Sequence, residues 1–334
     1  MIRSLVASYS ATTDIDSTFK PRRNLSQESL TTALENGDIM WIDLVDPTAK
    51  EIEWLEHQLQ LNPIVVEDLL RDDRRPALLV YPSYLFLSLF QVHIHVSKVI
   101  GKEIHCLVGE NYFVTVRHAD ADAVDEAYDR AALNPESWDR GAAYFLYLTA
   151  QQVIDAYYPL LDRISNQLND LEEKLITNEK LDKSAKRPLY RIKQQLINLR
   201  QMVAPQREVL SNVIGEQRLT NTDDTRDLFR HLYERLLRVY DVIDSQRDLS
   251  SNVLDMMQNQ ESRRMVEGVN RLTILSMIFF PLTFFLGLFE LGFATTVDPM
   301  ILPVSGRAMF FTVIALMISS AITIALLLKR RGWL

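Results

Sequence analysis

Apolar positions are concentrated in two uninterrupted runs near the carboxyl end of the chain, residues 274–293 and 308–328. Each run holds about twenty residues, enough for a helix to cross the hydrocarbon core of a bilayer. Glu290 is the one charged residue of the first run, and the second run has none. Buried core helices of a soluble protein are the alternative, but runs of this length without charge are rare there. The pattern therefore predicts a transmembrane hairpin.

Basic residues flank this hairpin at both of its ends. Arg264 and Arg271 precede the first run and Lys329-Arg330-Arg331 follows the second, whereas the connecting segment carries only Asp298 and Arg307. An excess of Lys and Arg marks the cytoplasmic side of a span. Both termini are therefore predicted to lie in the cytoplasm. We expect a multi-pass protein of a bacterial-type inner (plasma) membrane.

Short strand-like runs alternate with helix signals in the first part of the chain, which favours a cytosolic α+β domain over residues 1–142. Thr48 and Glu51 have the spacing of a helix capping box. Gly101-Lys102 is typical of a turn between two strands. The predicted strands are residues 39–44, 84–96, 103–108 and 112–117.

From residue 143 the apolar period becomes helical, and it stays so in residues 157–176, 189–214 and 228–257. Pro205 is expected to kink the second of these helices without ending it. The third meets no breaker except Gly268, so it is expected to continue into the first apolar run. We divide this part into a long-helix stalk and funnel domain, residues 143–270, and the hairpin, residues 271–334.

Charge and composition argue against some classes of function but do not identify one. The net charge of −8 argues against a nucleic-acid partner and is compatible with metal cations, or it merely keeps a cytosolic domain soluble. Cys106 is the only cysteine, so an intrachain disulfide is excluded. A phosphate loop, a nucleophile elbow and a zinc-binding His-Glu helix motif are missing from the sequence, so we do not expect an enzyme.

Several motifs in a fixed order resemble the CorA-type family of divalent metal-ion transporters. The cytosolic motifs are Asn62-Pro63-Ile64-Val65-Val66-Glu67-Asp68, Tyr112-Phe113-Val114-Thr115-Val116-Arg117 and Val203-Ala204-Pro205-Gln206-Arg207. The membrane motif runs from Leu272-Thr273-Ile274 through Phe280-Pro281-Leu282-Thr283 to Gly287-Leu288-Phe289. The resemblance implies a homopentameric funnel, made of an α+β cytosolic domain, long helices and two carboxyl-terminal transmembrane helices. It also implies that Mg²⁺ or Zn²⁺ is transported or regulatory, with no other cofactor.

The hallmark of that family is a Gly-Met-Asn triplet at the outer end of the first span, and this chain departs from it. The register of the membrane motif places Glu290-Leu291-Gly292 there. Divergent, CmaX-like members also lack the triplet. A ring of Glu290 carboxylates would attract cations generally, whereas neutral oxygens suit the outer shell of hydrated Mg²⁺. The alternative is that Glu290 reaches lipid headgroups at the interface.

The same register implies which positions of the first span face a pore. Apolar side chains among them would gate by dewetting, and hydroxyls would offer oxygens to an ion. The alternative is ordinary packing, with each hydroxyl bonded to its own helix. The positions are Val266, Val269, Leu272, Thr273, Ser276, Phe280, Thr283 and Gly287.

Histidines supply two weaker candidate metal sites. His231 aligns with an acid that helps family members bind regulatory cations, and an imidazole there would suit Zn²⁺ rather than Mg²⁺. His93 and His95 lie two apart on a predicted strand, with His105 on the next, and three imidazoles can hold Zn²⁺. A solvated sheet face is the alternative for these three.

The function expected from the resemblance is a homopentameric divalent cation channel or transporter with altered or relaxed selectivity. Its partners would be the lipid bilayer, other copies of the chain and divalent cations such as Mg²⁺, Zn²⁺, Co²⁺ or Ni²⁺. A non-conducting membrane sensor of the same fold is the alternative. The lost triplet and His231 favour divergence, whereas the retained hydroxyls favour conduction.

Overall fold

The computed structural model describes residues 1–8, 20–71, 76–95, 98–177, 186–220, 222–294 and 306–330, with side chains at 95, 288–294 and 306–310 left aside. The chain forms two compact units, Met1–Leu254 and Asp255–Leu334. The strands within the described residues are β1 (Ile2–Ala7), β2 (Arg22–Arg23), β3 (Ile39–Val45), β4 (Leu78–Val80), β5 (Leu85–His95), β6 (Lys98–Val108) and β7 (Tyr112–Arg117). The helices described are α1 (Gln27–Glu35), α2 (Ala49–Leu59), α3 (Pro63–Leu69), α4 (Ala123–Leu133), α5 (Glu136–Asp139), α6 (Ala142–Asp155), α7 (Tyr157–Ile176), α8 (Lys186–Gly215), α9 (Asp223–Ala294) and α10 (Gly306–Arg330).

The seven strands form one mixed sheet in the order β2-β1-β3-β7-β6-β5-β4. Strands β3 and β7 are parallel, and the other neighbours are antiparallel. Because side chains alternate between the faces of a strand, β3 sends Ile42 to one face and Trp41 to the other. Helices α1 to α3 cover the Ile42 face. On the Trp41 face, that indole packs against Phe113 and Phe145, with ring centroids 5.0 Å and 5.4 Å away.

Local signals in the sequence predicted several of these elements. Strand β7 and helix α7 have the predicted bounds, and β3 extends its prediction by one residue. The capping box of α2 is confirmed: the Glu51 carboxylate accepts from the Thr48 backbone at 2.7 Å, and Thr48 Oγ1 accepts from the Glu51 backbone at 3.4 Å. The bond from the Thr48 backbone holds the pKa of Glu51 below its ordinary value.

The predicted turn at Gly101-Lys102 is wrong. Strand β6 runs through both residues without a break, and Gly101 pairs with Val92 of β5. A Cβ atom on Gly101 would lie 2.7 Å from Met202 Sδ and 2.8 Å from Phe90 Cδ1. The absence of a side chain at Gly101 therefore lets helix α8 pack closely against strand β6. That long-range reason is invisible in the local sequence.

Helix α8 also closes an open edge of the sheet. Strand β4 is short, which leaves the edge of β5 unpaired around Phe90. There Gln206 Oε1 accepts from the Phe90 N–H at 2.9 Å, and its amide nitrogen donates to the Phe90 carbonyl at 3.2 Å. The buried Tyr157 hydroxyl donates to the same carbonyl at 2.8 Å. Pro205 lies inside α8 without ending it, as predicted.

Helix α9 is one uninterrupted helix of 72 residues, which confirms the predicted continuity into the first apolar run. Within the described residues, α9 and α10 are the helices long and apolar enough to cross a membrane. An 18-residue window within Phe311–Arg330 of α10 has a mean hydropathy of 2.5. Every described element after β7 is a helix, the first being α4 at Ala123, whereas the predicted domain boundaries at residues 142 and 270 stay predictions.

Candidate cation pathway along helix α9

The positions predicted to face a pore form one stripe on α9. Successive steps of three and four residues keep side chains on one side of a helix. Leu272 lies at the margin of this stripe, beside Thr273. The next step in the spacing is Glu290, whose backbone is still helical because α9 ends at Ala294. We call the α9 stripe the positions Val266, Val269, Thr273, Ser276, Phe280, Thr283, Gly287 and Glu290.

The described side chains of the α9 stripe are largely uncovered within their own chain. Phe280 is 76% exposed, Val266 58% and Val269 57%, whereas Thr273 is half-buried, and residues 261–272 are exposed on every face of the helix. Three turns of helix without a packed face cannot be stable as a solitary rod in water. This surface is therefore completed by lipid, by other copies of the chain, or by both.

The three hydroxyls of the α9 stripe bond to the backbone of their own helix. Thr273 Oγ1 donates to the Val269 carbonyl at 2.8 Å, and Ser276 Oγ donates to the Leu272 carbonyl at 2.9 Å. Thr283 Oγ1 donates to the carbonyl of residue 279 at 2.7 Å. This arrangement is the alternative considered for these residues, yet it uses only the hydroxyl hydrogen. The oxygen lone pairs remain available as ligands of the kind that hard divalent cations prefer.

The outer triplet Glu290-Leu291-Gly292 lies on helical backbone, but its side chains are outside the described part of the structure. The role of Glu290 at a pore mouth therefore stays a prediction. Gly287, one step earlier on the stripe, faces open space within its chain, since a Cβ atom there would meet no neighbour within 4 Å.

His231 lies on the exposed side of α9 in the first unit, between the buried Phe229 and Leu232. An exposed imidazole is accessible to a cation, but one ligand does not make a site. Its role in regulatory metal binding also stays a prediction.

The strand register corrects the predicted cluster of three histidines. His105 pairs with Ser88, whereas His93 pairs with Ile100. Ser88 and His93 are five residues apart on β5, so they point to opposite faces of the sheet. His95 shares the strand face of His93, but its side chain is outside the described residues. His105 therefore cannot join the other two in one zinc site. Among the described residues, no group of three or more His, Cys, Asp or Glu is arranged to hold a metal.

His105 instead lines a cavity of ≈ 230 Å³ that the sequence did not reveal. Its Nδ1 atom lies 3.0 Å from Ser88 Oγ, and its Nε2 atom lies 3.5 Å from the buried Glu103 carboxylate. His118 and Asp46, 2.7 Å apart, line the same cavity. In the sequence, Glu103 and His105 lie two residues apart on one predicted strand, and this spacing could have indicated that their side chains share a face.

A buried ion network was also missed. The fully buried Asp43 accepts from Arg117 at 3.1 Å and 3.2 Å, from the Thr115 hydroxyl at 2.7 Å, and from Arg3. Burial alone would lower the pKa of Arg3, but its bonds to Asp43 and Asp125 outweigh burial and raise that pKa. The network joins β1, β3, β7 and α4, so its role is to fix the sheet.

Known proteins resemble this chain over both the sheet domain and the two long helices α9 and α10. The sequence profile of the family described as "CorA-like Mg2+ transporter protein" matches residues 36–330. The cobalt/magnesium transport protein CorA of Thermotoga maritima is 27% identical over 236 residues, covering 70% of this chain and 67% of that protein. The complete structure of the CorA magnesium transporter from Methanocaldococcus jannaschii superposes with a TM-score of 0.80 at 18% identity, covering 100% of this chain and 99% of that one. The structure of the full-length CmaX protein gives 0.75 at 19% identity, covering 99% and 97%.

Proposed function

The chain belongs to the CorA-like Mg²⁺ transporter family, whose members are membrane ion transporters and not enzymes, and from this premise we propose that it conducts divalent cations with relaxed selectivity. The observation that carries the proposal is the α9 stripe, which continues without a helix break from Val266 to Glu290. It combines apolar side chains, which can gate a path by dewetting, with three hydroxyls, which can offer oxygens to a passing cation.

Several copies of the chain must surround the path, because two spans cannot enclose water by themselves. The uncovered surface of α9 supports such an assembly, and the family resemblance supports a homopentamer. In that arrangement α9 of each copy lines the axis, while α10 faces lipid. Both termini lie in the cytoplasm, because the basic residues at the start of the first span and the end of the second share one side.

Relaxed selectivity follows from the chemistry of Glu290. Mg²⁺ gives up its waters reluctantly, so a selective entrance offers neutral oxygens to the hydrated ion. Five carboxylates instead attract cations by charge. Close like charges also disfavour full ionisation, so bound cations or protons partly neutralise the ring. The cargo is therefore a class of divalent cations that includes Mg²⁺, Zn²⁺, Co²⁺ and Ni²⁺.

Uptake into proteoliposomes tests the proposal. The purified full-length protein is reconstituted, and Mg²⁺, Zn²⁺, Co²⁺ and Ni²⁺ fluxes are compared under the same gradient. We expect flux of more than one of these cations, and Glu290→Gln should lower the flux and change the ion preference. Asp227→Asn is the matched control, since Asp227 is an exposed carboxylate on the same helix in the first unit. No flux for any cation would overturn the proposal.

A non-conducting sensor of the same fold is the second candidate. It is favoured by the missing triplet and by the imidazole of His231 where the family resemblance places a regulatory acid. For a sensor, the same proteoliposomes would show no flux, while a divalent cation would still change the protease-cleavage pattern of the cytosolic unit. Measurable flux of any of these cations would contradict the sensor hypothesis.

A further inference from the structure

Helix α10 carries an apolar groove that ends in a positive charge. The groove, ≈ 440 Å³ in volume, is lined by Ile322, Ala325, Leu326 and Lys329. The three- and four-residue spacing of these positions puts them on one face of the helix. Leu326 is 59% exposed, whereas Leu328 is buried, so the groove lies on the outward side of α10.

The chemistry of the groove changes once along its length. Its first three members are apolar, and its last is an ammonium group at the point where the apolar run stops. Exposed Arg330 follows directly, and residues 306–330 contain no Asp or Glu to balance these two cations. A shallow apolar depression on one face of a helix, with cations at one end, is complementary to an acyl chain joined to an anionic headgroup.

Other cations strengthen the positive potential at the same membrane surface. Because the chain has two spans, the start of the first and the end of the second lie on one side of the bilayer. The exposed segment 261–271 of α9 carries three arginines and two glutamates, a net charge of +1, and it therefore adds a small positive charge to the surface that holds Lys329 and Arg330. Packing α10 of a second copy into this groove would bring like charges together, which disfavours a protein occupant.

We propose that the groove binds an anionic glycerophospholipid, with an acyl chain along Ile322, Ala325 and Leu326 and the phosphate on Lys329. The inference rests on the membrane placement of α10 and does not require that the protein conduct ions. Binding would hold the end of the second span at a fixed depth in the bilayer.

Native mass spectrometry of the full-length protein tests this site. The protein in detergent is titrated with phosphatidylglycerol or with phosphatidylcholine, and retained lipids are counted on each oligomer. We expect a saturable phosphatidylglycerol site on each protomer, with weaker retention of phosphatidylcholine. Lys329→Gln should weaken phosphatidylglycerol binding roughly fivefold, the effect of one cation near an anionic surface. Ala325→Leu, which fills the groove, should remove the saturable site for both lipids.

Arg230→Gln is the control, because Arg230 is an exposed cation of α9 in the first unit and should leave lipid retention unchanged. Equal retention of both lipids, or unchanged phosphatidylglycerol binding in Lys329→Gln, would overturn the proposal. If Ala325→Leu changed the mass of the oligomer and left lipid binding intact, the groove would be a contact between copies instead. Lipid retention is measured without recording flux, so its outcome does not depend on whether the protein conducts ions.

Discussion

The two units of this chain treat apolar surface in opposite ways. In Met1–Leu254 the largest aromatic side chains, such as Trp41 and Phe145, are fully buried by other parts of the same unit. In Asp255–Leu334 Phe280 and Phe311 stay 76% and 67% exposed. The first unit thus buries its largest aromatic side chains within a single chain, whereas the second leaves large aromatic side chains exposed, as expected of a surface that meets lipid or other copies.

Polar groups show the same difference. Several buried polar side chains of the first unit bond across the fold, as Asp43 does with Arg117 and Gln206 with Phe90, although Thr149 bonds to its own helix. Hydroxyls of the second unit bond to their own helix, as Ser276 does. A helix that satisfies its own polar groups is suited to an apolar surrounding, where water cannot do so.

The largest expected effect is on the free energy of unfolding, when the same Phe→Ala truncation is made in each of the two units. Phe145→Ala removes a fully buried ring and should lower the free energy of unfolding of the first unit by about 3–5 kcal/mol. Phe280→Ala removes an exposed ring and should change that free energy by less than about 0.5 kcal/mol. Denaturant unfolding of the full-length protein in detergent, followed by tryptophan fluorescence, measures both. Equal effects would remove the distinction between the units.

Removing one carboxylate tests the difference between a buried ion network and an exposed ion pair. Asp43→Ala leaves Arg117 and Arg3 with the partly exposed Asp125 as their shared carboxylate, which should cost about 3 kcal/mol because the buried charge of Arg117 is then only partly compensated. Asp227→Ala breaks only an exposed pair with Arg230 and should cost less than about 1 kcal/mol. The same unfolding measurement tests both variants. A small loss in Asp43→Ala would show that the network does not fix the sheet.

Removing the edge cap of β5 should have an intermediate effect. Gln206→Leu keeps the apolar bulk but leaves the partly buried N–H and carbonyl of Phe90 with fewer partners, at a cost of about 1–3 kcal/mol. Gln194→Leu, on the exposed side of the same helix, is the control and should be close to neutral. Hydrogen exchange should quicken at Phe90 in the first variant alone. Unchanged exchange there would contradict the proposed cap.

The capping box of α2 gives the smallest effect and a defined pH dependence. Thr48→Ala should cost about 1 kcal/mol. The pKa of Glu51 is lower in the folded protein than its ordinary value of 4.5, so its ionised form stabilises the fold above that pH. As pH falls through the lowered pKa, that contribution is lost. The stability difference between the parent protein and Glu51→Gln should therefore shrink in acid, and a difference that grew would reverse the sign of the argument.

Sequence reasoning succeeded where the determining contacts are local. The capping box at Thr48 and the strand Tyr112–Arg117 depend on neighbours within a few residues, and both were predicted. Gly101 was misread because its neighbour Met202 is about a hundred residues away along the chain. The histidine cluster failed because strand register depends on pairing with a second strand, which periodicity alone does not determine.

The candidate pathway stays a prediction, and it depends on a different kind of reasoning. Helical spacing alone would place Ser276 and Thr283 on one face, but it does not say whether that face meets lipid, protein or ions. The resemblance to a transporter family supplied that assignment. The continuity of α9 supports it, whereas the role of Glu290 depends on an assembly of several copies.

The central claim is that the α9 stripe faces a cation path, and cysteine modification during flux tests it most directly. Ser276→Cys and, as a control on the other span, Ser319→Cys are reconstituted and exposed to a charged methanethiosulfonate reagent while cation flux is recorded. The native Cys106 needs no removal, because it is fully buried and burial raises the pKa of its thiol. We expect the reagent to block flux through Ser276→Cys and to leave flux through Ser319→Cys unchanged. Equal block of the two variants, or none at Ser276→Cys, would contradict the account.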